Sequence, residues 1–400
     1  MKKESVGCAN DGGLSGLGEM EVARMARPTE DAASESWLAA ARRMGLEPER
    51  LAHVRRVLDR EVERGLIPGA SLLIGRRGER IHYATGCSVA TEREKLPATR
   101  ETLYDCASLT KVVVTLPLIL MLVDCGELSL QDPAARYIPE LGDRDAITIK
   151  HLLTHTAGFP PFVDLHTPGF SREEIIAHIG RLPLEYEPGT AYVYSDLGYI
   201  LLGEVIARLY GCPLDEAARR HLFAPLGMKD SGFCPDPALR PRIAATEYIP
   251  AEGVHRWGRV HDDNALALGG VSGHAGLFAT ADDLGRYAEM WLNEGRANGL
   301  SVLSPAALRL ATVSHTAHLR PANRGLGWVL KGDRWDASGD LMSPNAYGHT
   351  GFTGTSLWID PATGVYVVLL TNRVHFGRDR SVAGLRAAVH NIVAASVSKA

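Results

Sequence analysis

The stretch "DCASLTKVVVT", Asp105 to Thr115, sets a serine three residues ahead of a lysine at the head of an apolar run. On a helix residues three apart share a face, so the Lys111 amine can reach the Ser108 hydroxyl. A helix amino terminus also favours negative charge, which would help both an alkoxide and the oxyanion it creates. The competing reading is a plain cap, with Ser108 accepting the orphan amide protons of a helix that begins at Leu109. The S-x-x-K spacing does not decide between them, because Ser396 to Lys399 repeats it in the last residues of the chain.

A nucleophilic serine needs a proton acceptor and a place for negative charge. "AYVYSDLGY" offers Tyr194 and Asp196, and "YGHTGFTG" offers His349, Thr350 and Gly351 on a predicted strand edge, where glycine lets a substrate backbone approach. Each has a structural explanation when taken singly: packing for the tyrosine, a cap for the aspartate, a turn for His-Thr-Gly. A metal-dependent hydrolase is the rival chemistry. His151 and His155 have the spacing of a zinc-binding helix, and His261, Asp262 and Asp263 lie together. Leu152, however, stands where an H-E-x-x-H motif places its glutamate, so structural histidines and no metal are expected. His274 in "SGHAG" reads as a loop histidine. Arg373 either ends a strand or faces a substrate carboxylate.

Four hundred residues, 45% hydrophobic and 22% charged, describe a globular chain with a large core in two lobes. A formal charge of −4 with no basic stripe leaves nothing to grip phosphates, which argues against nucleic acid as a partner. The six cysteines show no C-x-x-C spacing, which fits reduced thiols. Cys106, close to Ser108, reads as a small core filler rather than a reactive thiol. The longest apolar run, Val112 to Val123, is broken by Thr115 and Pro117 and falls short of the roughly 20 residues a membrane span needs. No apolar h-region follows the two opening lysines, so a cytoplasmic location is the expectation.

Residues 1–36 lack periodicity and read as a mobile leader. Leu51, Val54, Leu58 and Val62 recur at helical steps and predict a helix packed by one stripe. "GASLLIGRRGERIHYATG" predicts a hairpin of Ala70–Gly75 and Arg80–Thr85, and "GTSLWIDPATGVYVVLLTNR" predicts a second. A closing helix is predicted from Val382 to about Ser396. Strands at both ends around a helical middle imply an α/β chain of the α+β type. Its antiparallel sheet would come from 37–107 and 320–400 and be flanked by helices, with a mainly helical lobe inserted over 108–319. A site between the lobes would draw on widely separated segments.

Taken together and in this order, Ser108-Leu-Thr-Lys111, Tyr194-Ser-Asp196 and His349-Thr-Gly351 resemble the motifs of the serine β-lactamase and penicillin-binding-protein superfamily. The likeness is to its class C-like branch, which includes D,D-carboxypeptidases and family VIII carboxylesterases. "HLLTHTAGFP", "EPGTAYVYSDLGYILLG" and "GGVSGHAGLFATADDLGRYAEM" extend the resemblance to roughly residues 50–395. The G-x-S-x-G elbow of α/β-hydrolases is absent.

The resemblance implies a β-lactamase/transpeptidase-like fold and a serine hydrolase that works through an acyl-enzyme without a cofactor. Ser108 would be the nucleophile, and Lys111 and Tyr194 would share the proton work. Asp196, His349, Thr350 and Gly351 would meet the substrate. The backbone N–H groups of Ser108 and Phe352 would form the oxyanion hole, where losing one donor costs about 3–4 kcal/mol in other hydrolases. Asp196 departs from the family's usual Asn. A carboxylate there favours ammonium on Lys111, which points to Tyr194 as the base with nearby positive charge favouring its phenolate. The expected substrate is a small ester, a D-amino-acid amide or peptide, or a β-lactam. A β-lactam sensor with slow deacylation is the alternative.

Overall fold

The computed structural model describes residues 30–398. Most of the expected leader and Lys399 of the second S-x-x-K lie outside the described residues.

The frame is a seven-stranded antiparallel sheet. Its strands are β1 (Gly69–Arg76), β2 (Glu79–Ala90), β3 (Lys95–Pro97), β4 (Val329–Leu330), β5 (Tyr347–Thr350), β6 (Ser356–Asp360) and β7 (Val365–Thr371). Their spatial order is β4-β5-β6-β7-β1-β2-β3. Strand β7 pairs with β1 from Ala70 opposite Thr371 to Arg76 opposite Val365, so the two ends of the chain meet in mid-sheet.

Every residue of β1 and β7 is buried, which fits their nearly continuous apolar sequences better than a half-exposed alternation would. Successive side chains still part to opposite faces. Leu72, Ile74, Val367 and Leu369 join Val54, Leu58, Val389 and Val393 of α2 (His53–Glu63) and the closing helix. Leu73, Val368 and Leu370 face the other core with Leu284 and Tyr287.

The helices relevant to the site, besides α2, are α1 (Glu30–Arg43), α3 (Leu116–Asp124), α4 (Leu197–Tyr210), α5 (Ala281–Leu292) and α6 (Ala383–Ala395). Helix α1 corrects the leader boundary, because residues 30–36 are its first turns. The buried residues Trp37, Ala40 and Ala41 of the helix, with Met44 just past its end, are half alanine, which masks the apolar period. Helix α5 falls in the span expected for the inserted lobe, yet it packs on β1 and β7. Tyr104–Asp105, just ahead of Ser108, pairs with Phe278–Ala279, a ladder between segments far apart in sequence.

The run after Ser108 is not a simple α-helix. Lys111–Thr115 forms a π turn in which the Leu116 N–H donates to the Lys111 carbonyl, and only then does α3 begin. Pro117 has no N–H to give, so the Val112 carbonyl loses its partner one turn on. The Tyr287 hydroxyl of α5 supplies a hydrogen bond to that carbonyl. The sheet-packed helix thereby braces the segment that carries the serine and lysine.

Candidate active site

Ser108 is presented by a tight bend. Ala107, the residue before it, has φ of +46°, a left-handed conformation that is uncommon for a residue with a Cβ. The buried Asp105 carboxylate fixes the bend by accepting from the Ala107 N–H at 2.8 Å and the His261 N–H at 2.6 Å. Ser108 lies at the edge of a cavity of about 780 Å³. Its Oγ accepts from Lys111 Nζ at 2.9 Å rather than from a backbone N–H, so the plain-cap reading does not describe it.

Lys111 is fully buried. Its Nζ meets Ser108 Oγ, the His274 carbonyl at 3.1 Å and Asp196 Oδ1 at 2.7 Å. Burial opposes the charge, but Asp196 and Tyr194 outweigh it and the lysine pKa is raised above its ordinary value. An ammonium beside the hydroxyl is the result.

Tyr194 borders the same cavity, its ring centroid 5.2 Å from Lys111 Nζ. The His155 ring lies 4.4 Å from it, and burial holds that imidazole neutral while its Nδ1 bonds the Ser195 carbonyl at 3.0 Å. His151 instead completes the amino-terminal cap of a short helix with Thr148. The two histidines with zinc-like spacing thus do separate structural work.

His349 is buried, and burial pushes its pKa well down, so it adds no positive charge. Its Nδ1–H donates to the Thr350 carbonyl at 2.8 Å, and its Nε2 faces Arg324 Nη2 at 3.5 Å. The cation at this place is Arg324. It is 1% exposed and lines the cavity, and its Nε and Nη1 have no partner among the described residues. Sequence reasoning passed over this arginine, because "PANRGLG" carries no periodic or motif signal.

Thr350 and Gly351 also line the cavity. A Cβ on Gly351 would come within 2.1 Å of Thr355 Oγ1 and 2.5 Å of the Cys106 carbonyl, so glycine is required there. Thr353 Oγ1 donates to the Asp105 carbonyl at 2.7 Å and Thr355 Oγ1 to the Cys106 carbonyl at 3.1 Å. The turn bearing Phe352 is therefore tied to the bend bearing Ser108. Phe352 itself is half exposed and packs on His261. Arg373 touches this turn rather than ending a strand idly, its Nε donating to the Phe352 carbonyl at 2.8 Å.

His274 and Asp262 also reach the site. His274 is 1% exposed, with its Nδ1 2.8 Å from Ser272 Oγ and its Nε2 2.8 Å from Asp262 Oδ1. Burial opposes ionisation of Asp262, but His274 outweighs it and holds the carboxyl well below the usual carboxylate range. Asp196, Asp262 and His274 are the one group of potential metal ligands among the described residues. The Lys111 ammonium already contacts Asp196 within it. His261 and Asp263 are engaged elsewhere, with Glu247 and Arg256. Cys106 is fully buried and burial drives its thiol pKa well up, the state of an inert core residue.

The family described as Beta-lactamase matches residues 54–391. The chain belongs to the beta-lactamase family. A protein of Escherichia coli O157:H7, provisionally named a D-alanyl-D-alanine carboxypeptidase, is 33% identical over 373 residues, covering 83% of this chain and 84% of its own. An N-acetylmuramyl-L-alanine amidase of Bacillus subtilis strain 168 is 33% identical over 365 residues, covering 82% of each. A penicillin-binding-protein homologue from Caulobacter crescentus shares the fold at a TM-score of 0.70, with 24% identity over 89% of this chain and 99% of that one. This beta-lactamase-family chain thus has the antiparallel sheet, flanking helices and hydrolase fold that its motif order resembled.

Proposed function

We propose that the protein is a serine hydrolase that forms an acyl-enzyme on Ser108 and acts on a small amide or ester, with D-amino-acid peptides as the favoured class. The observation that carries the reading is the buried Lys111 ammonium 2.9 Å from Ser108 Oγ. A cation at that distance stabilises an alkoxide without itself removing the proton. Tyr194, on the same cavity wall, is then the acceptor. The Ser108 proton passes to the Tyr194 oxygen as Oγ attacks the carbonyl carbon, and Tyr194 returns it to the leaving nitrogen or oxygen. The backbone N–H groups of Ser108 and Phe352 receive the oxyanion. A water then attacks the acyl-enzyme by the reverse proton path.

Two features favour amides bearing a carboxylate over neutral esters. Arg324 lines the cavity as a buried residue whose Nε and Nη1 have no partner among the described residues, and a carboxylate is the natural complement of a guanidinium. Both curated relatives described above are named for cleavage of an amide in a peptide or a peptide-bearing sugar.

The test compares wild type with Ser108→Ala on p-nitrophenyl butyrate, a D-Ala-D-Ala peptide, N-acetylmuramyl-L-alanine and a fluorescent penicillin, following product release and intact mass. Turnover by wild type alone, through an adduct that clears, supports the reading. An adduct on penicillin that never clears, without turnover of the others, favours the sensor. Equal behaviour of the two proteins removes Ser108 from the chemistry.

A further inference from the structure

Arg386 presents an unusual arrangement on α6. It lines the cavity, and its guanidinium has no carboxylate partner among the described residues. Its Nη2 instead donates to two carbonyls, Gly351 at 2.8 Å and Thr355 at 2.8 Å. Burial, then repulsion from Arg373, lowers its pKa to about 9. Simple turn-pinning does not need a buried charge. The turn is already closed by the Gly351 N–H to the Thr355 carbonyl at 2.8 Å and the Gly354 N–H to the Gly351 carbonyl at 3.1 Å.

The Gly351 carbonyl and the Phe352 N–H belong to one peptide group. A charged donor on the carbonyl draws electron density from the amide nitrogen and makes its N–H a stronger donor, because linked hydrogen bonds polarise one another. It also fixes the plane of that peptide. We propose that Arg386 is a positioning residue for the oxyanion hole: by donating to the Gly351 carbonyl it aims and polarises the Phe352 N–H that receives the developing negative charge. This rests on the acyl-enzyme reading above.

The role predicts an effect on the transition state and little on ground-state binding. The experiment uses the full chain as wild type, Arg386→Met and Arg386→Lys, with Ser108→Ala as control. It measures kcat and KM on p-nitrophenyl butyrate, the affinity for phenylboronic acid, which forms a tetrahedral adduct on an active serine, and Tm. Removing an oxyanion donor outright costs about 100- to 1,000-fold in kcat, so weakening one is expected to cost about 10- to 50-fold. Arg386→Met should show that loss in kcat and a matching loss in boronate affinity, with KM within about threefold. Arg386→Lys should recover part of both, since an ammonium can serve the Gly351 carbonyl alone. If Arg386→Met fails to fold, the Arg386→Lys series carries the test by the same parallel. A rise in KM with unchanged boronate affinity, or a kcat loss that merely follows the folded fraction, overturns the proposal. Failure of the acyl-enzyme reading is distinct: wild type would then form no Ser108-dependent adduct at all.

Discussion

Lys111 Nζ lies 2.7 Å from Asp196 Oδ1, an ion pair in which the lysine is fully buried and the aspartate reaches the cavity. The carboxylate stands where the family more often has an amide, and it biases the lysine towards its charged form. The lysine becomes a fixed cation.

Replacing the carboxylate tests this directly. In Asp196→Asn the burial penalty on Lys111 persists while its main support is gone, so the lysine pKa falls. The alkaline limb of kcat/KM should move to lower pH by about 1–3 units. An unmoved limb would mean that Asp196 does not govern the lysine charge.

Tyr194→Phe separates the two candidate bases. Loss of a general base costs about 100- to 10,000-fold, and the loss should fall on acylation, measured as the rate of adduct formation in stopped-flow or mass experiments. Near-normal acylation in this variant would return the proton work to Lys111.

Arg324→Met should trade binding for stability. A charge-assisted hydrogen bond is worth about 1.5–3 kcal/mol, so KM for a carboxylate-bearing peptide should rise roughly 10- to 100-fold while its carboxamide analogue is little affected. Removing a buried cation with unpartnered N–H groups should leave Tm equal or higher. Equal KM changes for the two substrates would exclude carboxylate recognition by Arg324.

The Asp196, Asp262 and His274 group gives a metal test. With Lys111 as the cation at Asp196, activity should survive prolonged chelation, and added zinc should inhibit or do nothing. Loss on chelation with recovery on zinc would reverse the assignment, as read by activity and metal content together.

Acid should weaken the fold through its buried imidazoles. Burial lowers His82 and His390 to about 4, and pushes His155 and His349 well down. Above about 6.5 neither the folded nor the unfolded chain protonates these rings, and stability does not depend on them. As pH falls below 6.5 the unfolded chain takes up protons that the folded one refuses, so stability drops. The loss approaches about 1.4 kcal/mol per unit for each such histidine and ends once the folded rings protonate, near pH 4 for His82 and His390. Tm measured from pH 7 to pH 4 should decline, with a shallower decline in His390→Leu.

Residue type and spacing determined much of this protein. The β1 and β7 runs, the helical stripe of Leu51, Val54 and Leu58, and the three motifs are local patterns, and local patterns survive being read in one dimension. Asp196 beside Lys111 was legible too, because opposite charges in two motifs of one site imply a pair. The tertiary structure alone decided what depends on burial and on distant partners. Arg324 stands beside His349 as the cation of this wall, because burial pushes the imidazole to its neutral form. Arg386 reaches the turn from α6, 35 residues on, and Tyr287 accounts for the Val112 carbonyl across 175 residues. Hydrogen bonds over such separations leave no period in the sequence, since any residue with a donor at the right point in space satisfies them.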